Sequence, residues 1–410
     1  MLSDSPTRAT LWVIVSSATL TVMAGAILGP VVPQIQTGVG VSESLAGLII
    51  TTHAAFIVLT SPVAGILVDR FGPRRPFIGG LLLYAVGGGT GLVIDDFIPL
   101  LVSRAVLGVG VAFVYTGITV LIYDLYEGQQ MNRALGLRSG ANSVGGAVWP
   151  LVGGGLGTVS WQLPFGVYLI ALPLGLAAIA TIPPTTRETG VPTTQNESSS
   201  DNSHTGSNGL AAIASGFQRQ PALLLIYLLY FGTNAFLYAI VVYYPQLLET
   251  VGVTSSLWIG LYLTVNGIAG GVSGTLYDRL KSRVDARFLV LVAFILWTIA
   301  FGTAASVNSP IGLVIPVALF GFGVGLVFPS AFIWIEALAP KQLQGQFSSY
   351  LAMAGYIGQF VSPILFGVFV SPFGIRGVFI AAALFASVGM ATLSLAVLTS
   401  LRRSSVKDQS

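Results

Sequence analysis

The sequence predicts an all-α membrane protein: twelve transmembrane helices arranged as two pseudo-symmetric six-helix bundles. Three observations carry this. Charged residues make up 8% of the 410 residues, against roughly 25% in a soluble domain, and the hydrophobic fraction is 54%. Apolar runs of about 20 residues, the length that crosses a hydrocarbon core, recur along the whole chain. Features of the first half also return in the second at an offset of roughly 210 residues.

The first run, Leu11 to Val32, follows Arg8. It is too long for the apolar core of a leader peptide and many spans follow it, so it reads as a retained helix. Apolar periods and breakers place the first six helices near residues 11–33, 45–68, 77–94, 98–123, 134–157 and 161–182, and the second six near 221–248, 256–277, 287–306, 310–337, 346–370 and 376–400. Residues 183–209 between the sets are polar and rich in Ser, Thr, Asn and Gly, a flexible linker. Residues 210–220 read either as a short interfacial helix, with Ile213 and Phe217 on lipid and Arg219 in water, or as more linker. The domains are therefore an N-terminal bundle over 1–183, a cytoplasmic linker over 184–216, a C-terminal bundle over 217–402 and a cytoplasmic tail over 403–410.

Orientation follows from charge. With a cytoplasmic N-terminus, that end, the linker, the tail and the even-numbered loops with the helix ends beside them are read as holding all but two of the 18 Lys and Arg residues, the exceptions being Arg104 and Arg376. The outer loops carry Glu43, Asp95, Asp96 and Glu249. The net charge of +3 thus reads as topology in a cell membrane, both termini inside, and gives no reason to expect nucleic acid. The chain has no Cys, which removes disulfides, thiolate metal sites and Cys nucleophiles. No cluster of His, Asp or Glu at one depth suggests an enzyme or a metal centre, and no phosphate-binding loop suggests an ATP-driven pump. No cofactor is expected, and a monomer is.

GILVDRFGPRR, Gly65 to Arg75, packs Asp69, Arg70, Arg74 and Arg75 between two apolar runs, and GTLYDRLKSR, Gly274 to Arg283, repeats it with Asp278, Arg279 and Arg283. In both, Gly is followed four residues later by Asp-Arg. Asp124 likewise matches Glu336, Pro150 matches Pro363, and Gly136 matches Gly345. A duplication of this kind builds many secondary transporters.

Gly65, Asp69, Arg70, Gly72, Arg74 and Arg75 resemble the signature loop of the major facilitator superfamily, and the likeness covers Thr10 to Ser400. Two further motifs are similar to those of its 12-helix drug:proton antiporters. Arg104 with Gly108 and Gly110 resembles the arginine motif of helix 4. Gly136, Gly145, Pro150, Gly153 and Gly154 keep the spacing of the helix 5 antiporter motif, with Trp149 where a Gly is expected before Pro. GPVVP, Gly29 to Pro33, is similar to the proline-containing end of helix 1 in exporters. The resemblance implies two bundles that rock about a central cavity, a proton as coupling ion, and Asp69 set against the N-terminus of helix 11 near Gly345.

A carrier closes one side of its cavity as it opens the other, so each gate needs contacts made in one state and lost in the other. A carboxylate at a helix N-terminus gains about 0.3 to 2 kcal/mol, and a few such contacts bias a two-state equilibrium strongly. Asp69 suits that role. Arg70, Arg74 or Arg75 are expected to face Asp124, with Asp278 and Arg283 repeating the arrangement against helix 5 and Glu336. The plainer alternative is that these charges only fix topology, but the duplicated Asp is then unexplained, since topology needs only Arg and Lys.

Arg104 reads as the one basic residue within a first-half helix, facing the cavity as a coupling residue or else snorkelling to the outer headgroups. His53, in helix 2, is either a proton carrier or a hydrogen-bonded packing residue. Candidate cavity residues are polar but uncharged: Gln34, Asn142, Tyr230, Asn234, Tyr238, Asn266 and Gln359. Tyr230, Asn234 and Tyr238 share one helix face at i, i+4 and i+8, which suits either an aromatic cavity wall or a packing seam. No carboxylate lies at mid-membrane depth, which favours neutral or amphiphilic cargo. The expected function is proton-coupled efflux of amphiphilic small molecules by alternating access; the alternatives are an importer or facilitator of a small neutral metabolite and a non-transporting receptor.

Overall fold

The computed structural model describes residues 8–183, 220, 222–340 and 343–407, with side chains as far as 395. The first half consists of α1 Arg8–Val39, α2 Glu43–Phe71, α3 Arg74–Gly89, α4 Phe97–Leu125, α5 Gly128–Gly157 and α6 Leu163–Thr181. The second consists of α7 Ala222–Thr250, α8 Ser256–Lys281, α9 Ala286–Ser306, α10 Ile311–Leu338, α11 Gln344–Gly367 and α12 Val370–Lys407. Among the described residues, ten of these are long and apolar enough to cross a membrane. The remaining two have local reasons for falling short. α3 is 16 residues long and continues as a 3-10 turn, Thr90–Leu92, while α5 is diluted by glycines and by Gln129, Gln130, Asn132, Arg133, Arg138 and Asn142. The linker 184–216, with the stretch 210–219, lies outside the described residues, and the expected tail is helical as far as Lys407.

Each bundle surrounds its own core. Ile14, Leu28, Phe77, Tyr84 and Leu121 anchor the first. In the second, the buried Trp297 ring lies 5.1 Å from Phe294 and 5.6 Å from Phe320, and its Nε1 donates to Phe320 O at 3.0 Å. The outward faces expose Leu59, Leu82, Leu176, Leu225 and Leu384, as a lipid-facing surface does.

Loop glycines set the helix ends. Gly72 ends α2 with φ 75°, a conformation that a side chain resists, which accounts for a glycine inside the charged loop. Gly374, with φ 67° and ψ −175°, bends the start of α12. Arginines close three helix C-termini, where unpaired carbonyls and the negative end of the helix dipole attract a cation. Arg74 Nη2 donates to Ile179 O of α6 at 2.7 Å, Arg104 caps α3, and Arg376 donates to Ala305 O at 2.8 Å and Val307 O at 3.1 Å at the end of α9.

The two bundles meet at one face of the molecule and part at the other. At the meeting face the ends of α5 and the start of α8 cross backbone to backbone. A Cβ at Gly260 would stand 2.6 Å from Pro150 O, and one at Gly154 3.1 Å from Gly260 Cα. Ser256 Oγ donates to Gly154 O at 2.9 Å and Thr264 Oγ1 to Ala147 O at 2.8 Å. Pro150 has no N–H for Gly146 O, and that carbonyl faces Gly267 of α8 instead. On the opposite side of the interface, Gly47 of α2 lies against Val242 and Pro363, and Tyr243 Oη donates to Pro363 O at 2.7 Å.

Candidate functional site

Toward the other face, which holds the charged loops, the glycines of the same helices look into open space. Gly65, Gly136, Gly140, Gly274 and Gly345 have no atom within 4 Å of where a Cβ would stand. A cleft therefore runs between the bundles, closed at the Pro150–Ser256 level and open at the level of Asp69 and Asp278.

The charged residues of both loops lie on this face of the molecule. Asp69, Arg70, Arg75, Asp124, Asp278, Arg279, Arg283 and Glu336 are all exposed. Gly345, the expected landing point for Asp69, is exposed with space around it in this state. Of the three arginines offered as partners of Asp124, Arg74 turns its Nη2 to the end of α6, where it donates to Ile179 O at 2.7 Å.

Deeper in, part of the expected cavity set comes together. Asn234 Nδ2 donates to Tyr230 O at 2.9 Å, and Asn234 Oδ1 accepts from Gln359 Nε2 at 3.1 Å, tying α7 to α11. Gly355 makes room for this: a Cβ there would stand 2.6 Å from the Tyr230 ring. The Tyr230 ring lies 5.1 Å from Phe328 and 5.8 Å from Phe332. Tyr115 of α4 and Tyr356 of α11, which the sequence did not single out, lie in the neighbourhood of Tyr230. Asn142 offers a buried Oδ1 with no hydrogen-bond partner.

Others are elsewhere. Tyr238 is 8% exposed and reaches across the interface to Gly25 beside His53, so it seals the bundles together rather than lining the open cleft. Asn266 packs against Gly321 of α10, inside its own bundle. Gln34 lies in the closed half at the end of α1, its Oε1 buried without a partner. In α5, Gly145 adjoins Thr19 and Trp149, whose Nε1 donates to Thr19 O at 3.1 Å, and Gly153 meets the main chain of Ile27. The expected motif thus forms the close contact of α5 with α1 and α8, except Gly136, which faces the open end.

Arg104 is neither in the cleft nor at the headgroups. It is fully buried, its Nη2 donating to Gly87 O at 3.0 Å and Gly88 O at 2.8 Å, with its guanidinium carbon 4.9 Å from both the Phe165 and the Tyr168 ring centres. Backbone acceptors and aromatic faces, rather than a carboxylate, compensate the charge. The run Gly87 to Gly89 permits this, because a Cβ at Gly88 would overlap the Tyr168 ring. His53 is buried in the same bundle, Nδ1 2.6 Å from Ile50 O and its own carbonyl against Gly108.

A cation does line the cleft, one the sequence reading had assigned to topology. Arg138 lies ten residues inside α5, so Arg104 is not the sole basic residue in a first-half helix. Its Nη1 donates to Thr119 Oγ1 at 3.0 Å and its guanidinium carbon stands 4.8 Å over the Tyr115 ring. An expected span of 134–157 already contained it; ten helical residues from the charged face, about 15 Å, is the signal that could have found it.

Two crevices of 270 Å³ and 350 Å³ lie apart from the cleft, one lined by α2, α3 and α4 and the other along α3 and α4 of the first bundle.

The family model described as Major Facilitator Superfamily matches residues 14–363, with a second match over 259–409. Multidrug resistance protein 1 of Bacillus subtilis (strain 168) is 28% identical over 370 residues, covering 87% of this chain and 89% of that protein. Multi-drug resistance efflux pump PmrA of Streptococcus pneumoniae (serotype 4) is 26% identical over 395 residues, covering 88% and 90%. Among solved structures, the nucleoside transporter NupG superposes with a TM-score of 0.80 at 12% identity, over 95% of this chain and 99% of that one. A bacterial homolog of the human lysosomal transporter Spinster, inward-facing and unoccupied, gives 0.76 at 17% identity, over 98% and 99%. At these identities the structural likeness is one of fold.

Proposed function

Because the chain belongs to the major facilitator superfamily, a multi-pass membrane transporter and not an enzyme, we propose that it exports amphiphilic, drug-like small molecules across the cell membrane by proton-coupled alternating access. The observation that carries this reading is the asymmetry of the bundle interface: backbone-tight at Gly154 and Gly260, open at Gly136 and Gly345. The positive-inside rule places the open, charged face in the cytoplasm, so the state is one that loads cargo from inside. An aromatic wall with a few amide groups suits amphiphilic cargo. The two relatives named for drug resistance agree with that choice.

In the opposite state the charged loops close. Asp69 then meets the N-terminus of α11, Asp278 meets the start of α5, and the space around Gly65, Gly136, Gly274 and Gly345 allows close approach of the helices. Proton coupling is assigned to His53, whose Nε2 is left available by the Nδ1 bond to Ile50.

The test is flux through purified protein in lipid vesicles, using cationic, neutral and anionic aromatic dyes with and without an imposed pH gradient. Gradient-driven accumulation that collapses with a proton ionophore is expected, and His53→Gln should leave dye binding intact while abolishing the gradient dependence. Equilibration of dye without regard to the gradient would support a facilitator instead, and no flux of any dye would end the transport reading. Retained gradient dependence in His53→Gln would remove His53 as the proton carrier.

A further inference from the structure

Arg138 occupies an unusual place for a charge. α5 begins at Gly128, so the residue lies about 15 Å along the helix from the charged face, deep enough for its side chain to need a reason to stay. A long cation near a membrane boundary ordinarily extends toward the headgroups. Here the head is held inside: Thr119, six residues before the end of α4, takes one of its N–H donors, and Tyr115, a turn deeper, lies under its plane. Among the described residues no carboxylate contacts it. The acidic positions of the same elements, Asp124 and Glu127, lie five or more residues beyond Thr119, exposed at the mouth.

Guanidinium carries five N–H donors and does not deprotonate in a protein. With one donor on Thr119 and one face on Tyr115, the remaining edge is left to the cleft. The groups beside it cannot neutralise it: Thr119 is an alcohol, and Tyr115 and Tyr356 are phenols. Among the described residues, the cleft thus presents a fixed positive charge beside aromatic rings.

We infer that Arg138 makes this cleft select anionic amphiphiles, molecules with a carboxylate, sulfonate or phosphate head that pairs with the guanidinium and an aromatic or alkyl body that lies on Tyr115, Tyr230 and Tyr356. This rests on the transport reading above and narrows it: that no carboxylate among the described residues contacts Arg138 is then a feature of the specificity, since an acid there would neutralise Arg138 and admit cations.

The probes are three pyrenes of the same size: 1-pyrenebutyrate, 1-pyrenebutanol and a 1-pyrenebutyl-trimethylammonium salt. Binding to the full chain in nanodiscs of zwitterionic lipid is read as energy transfer from tryptophan to pyrene, with empty discs as the blank. The butyrate should bind about 10- to 100-fold more tightly than the trimethylammonium compound, the range expected for a charge-assisted hydrogen bond in a poorly hydrated site. Arg138→Gln should remove most of that preference while leaving pyrenebutanol affinity within about threefold, and Arg138→Lys should keep part of it. The comparison within the wild-type protein stands whether or not a variant folds. Equal or tighter binding of the cation, an unchanged preference in Arg138→Gln, or no binding of any probe overturns the inference. Anion-selective binding without flux in vesicles would instead count against transport and leave the site standing.

Discussion

Gly154→Ala should drive the protein out of the state described here. A Cβ at this position would stand 2.5 Å from Ser256 O, 3.1 Å from Gly260 Cα and 3.2 Å from Leu257 Cα. All three are main-chain atoms of α8 and cannot rotate away, so α5 and α8 must separate by about 1 Å to restore ordinary van der Waals contact. Overpacking of this kind costs about 1–3 kcal/mol. If the crossing exists only while this face is closed, the cost falls on one of two states and the equilibrium moves by about 5- to 150-fold. Gly155, the next residue, has nothing within 4 Å, so Gly155→Ala serves as a matched control. The chain has no native Cys, which allows spin labels at introduced cysteines. Val159 with Thr254 reports the closed face and Gln129 with Ser282 the open one, all four exposed. Pulsed dipolar spectroscopy should show the first distance lengthening and the second shortening in Gly154→Ala but not in Gly155→Ala. Wild-type distances in a folded Gly154→Ala protein would refute the reasoning, because the close crossing would then not distinguish two states.

Two further outcomes follow from the same geometry. Arg104→Ala leaves a cavity and two unpaired carbonyls at the end of α3, a loss of about 2–5 kcal/mol, so a lowered melting temperature is expected ahead of any change in coupling; unchanged stability with altered pH dependence would return Arg104 to a coupling role. Asp69→Asn removes a charge from the mouth and a contact proposed for the opposite state, so flux should fall while binding to the present state is kept; wild-type flux would remove Asp69 from the gate.

The helix count, the halves and the charged loops were legible because each is a statement about solvent. Lipid demands apolar runs of fixed length, and the translocation of charge sorts Arg and Lys to one face. Gly72 was legible as a motif, and the structure supplies its cause in φ 75°. The surroundings of Arg138 and Arg104 were not legible for one reason: sequence gives a residue's position along a helix but not the azimuth of its side chain or what the next helix offers it. The long side chain of Arg104 turned to the end of α3 because three successive glycines admitted Tyr168 and exposed two carbonyls, and that of Arg138 stayed in the cleft because Thr119 and Tyr115 face it. Tyr238 shares a helical face with Tyr230 yet serves the seam, since eight residues carry it from the open part of the interface to the closed part.

What the chain by itself determined is therefore the class of molecule: a duplicated bundle of apolar helices with charged loops at one face. What the tertiary structure decided is which of those helices touch and at which end. Contact between two helices depends on the match of their surfaces at a crossing point, as between Pro150 and Gly260, and no single helix carries that information.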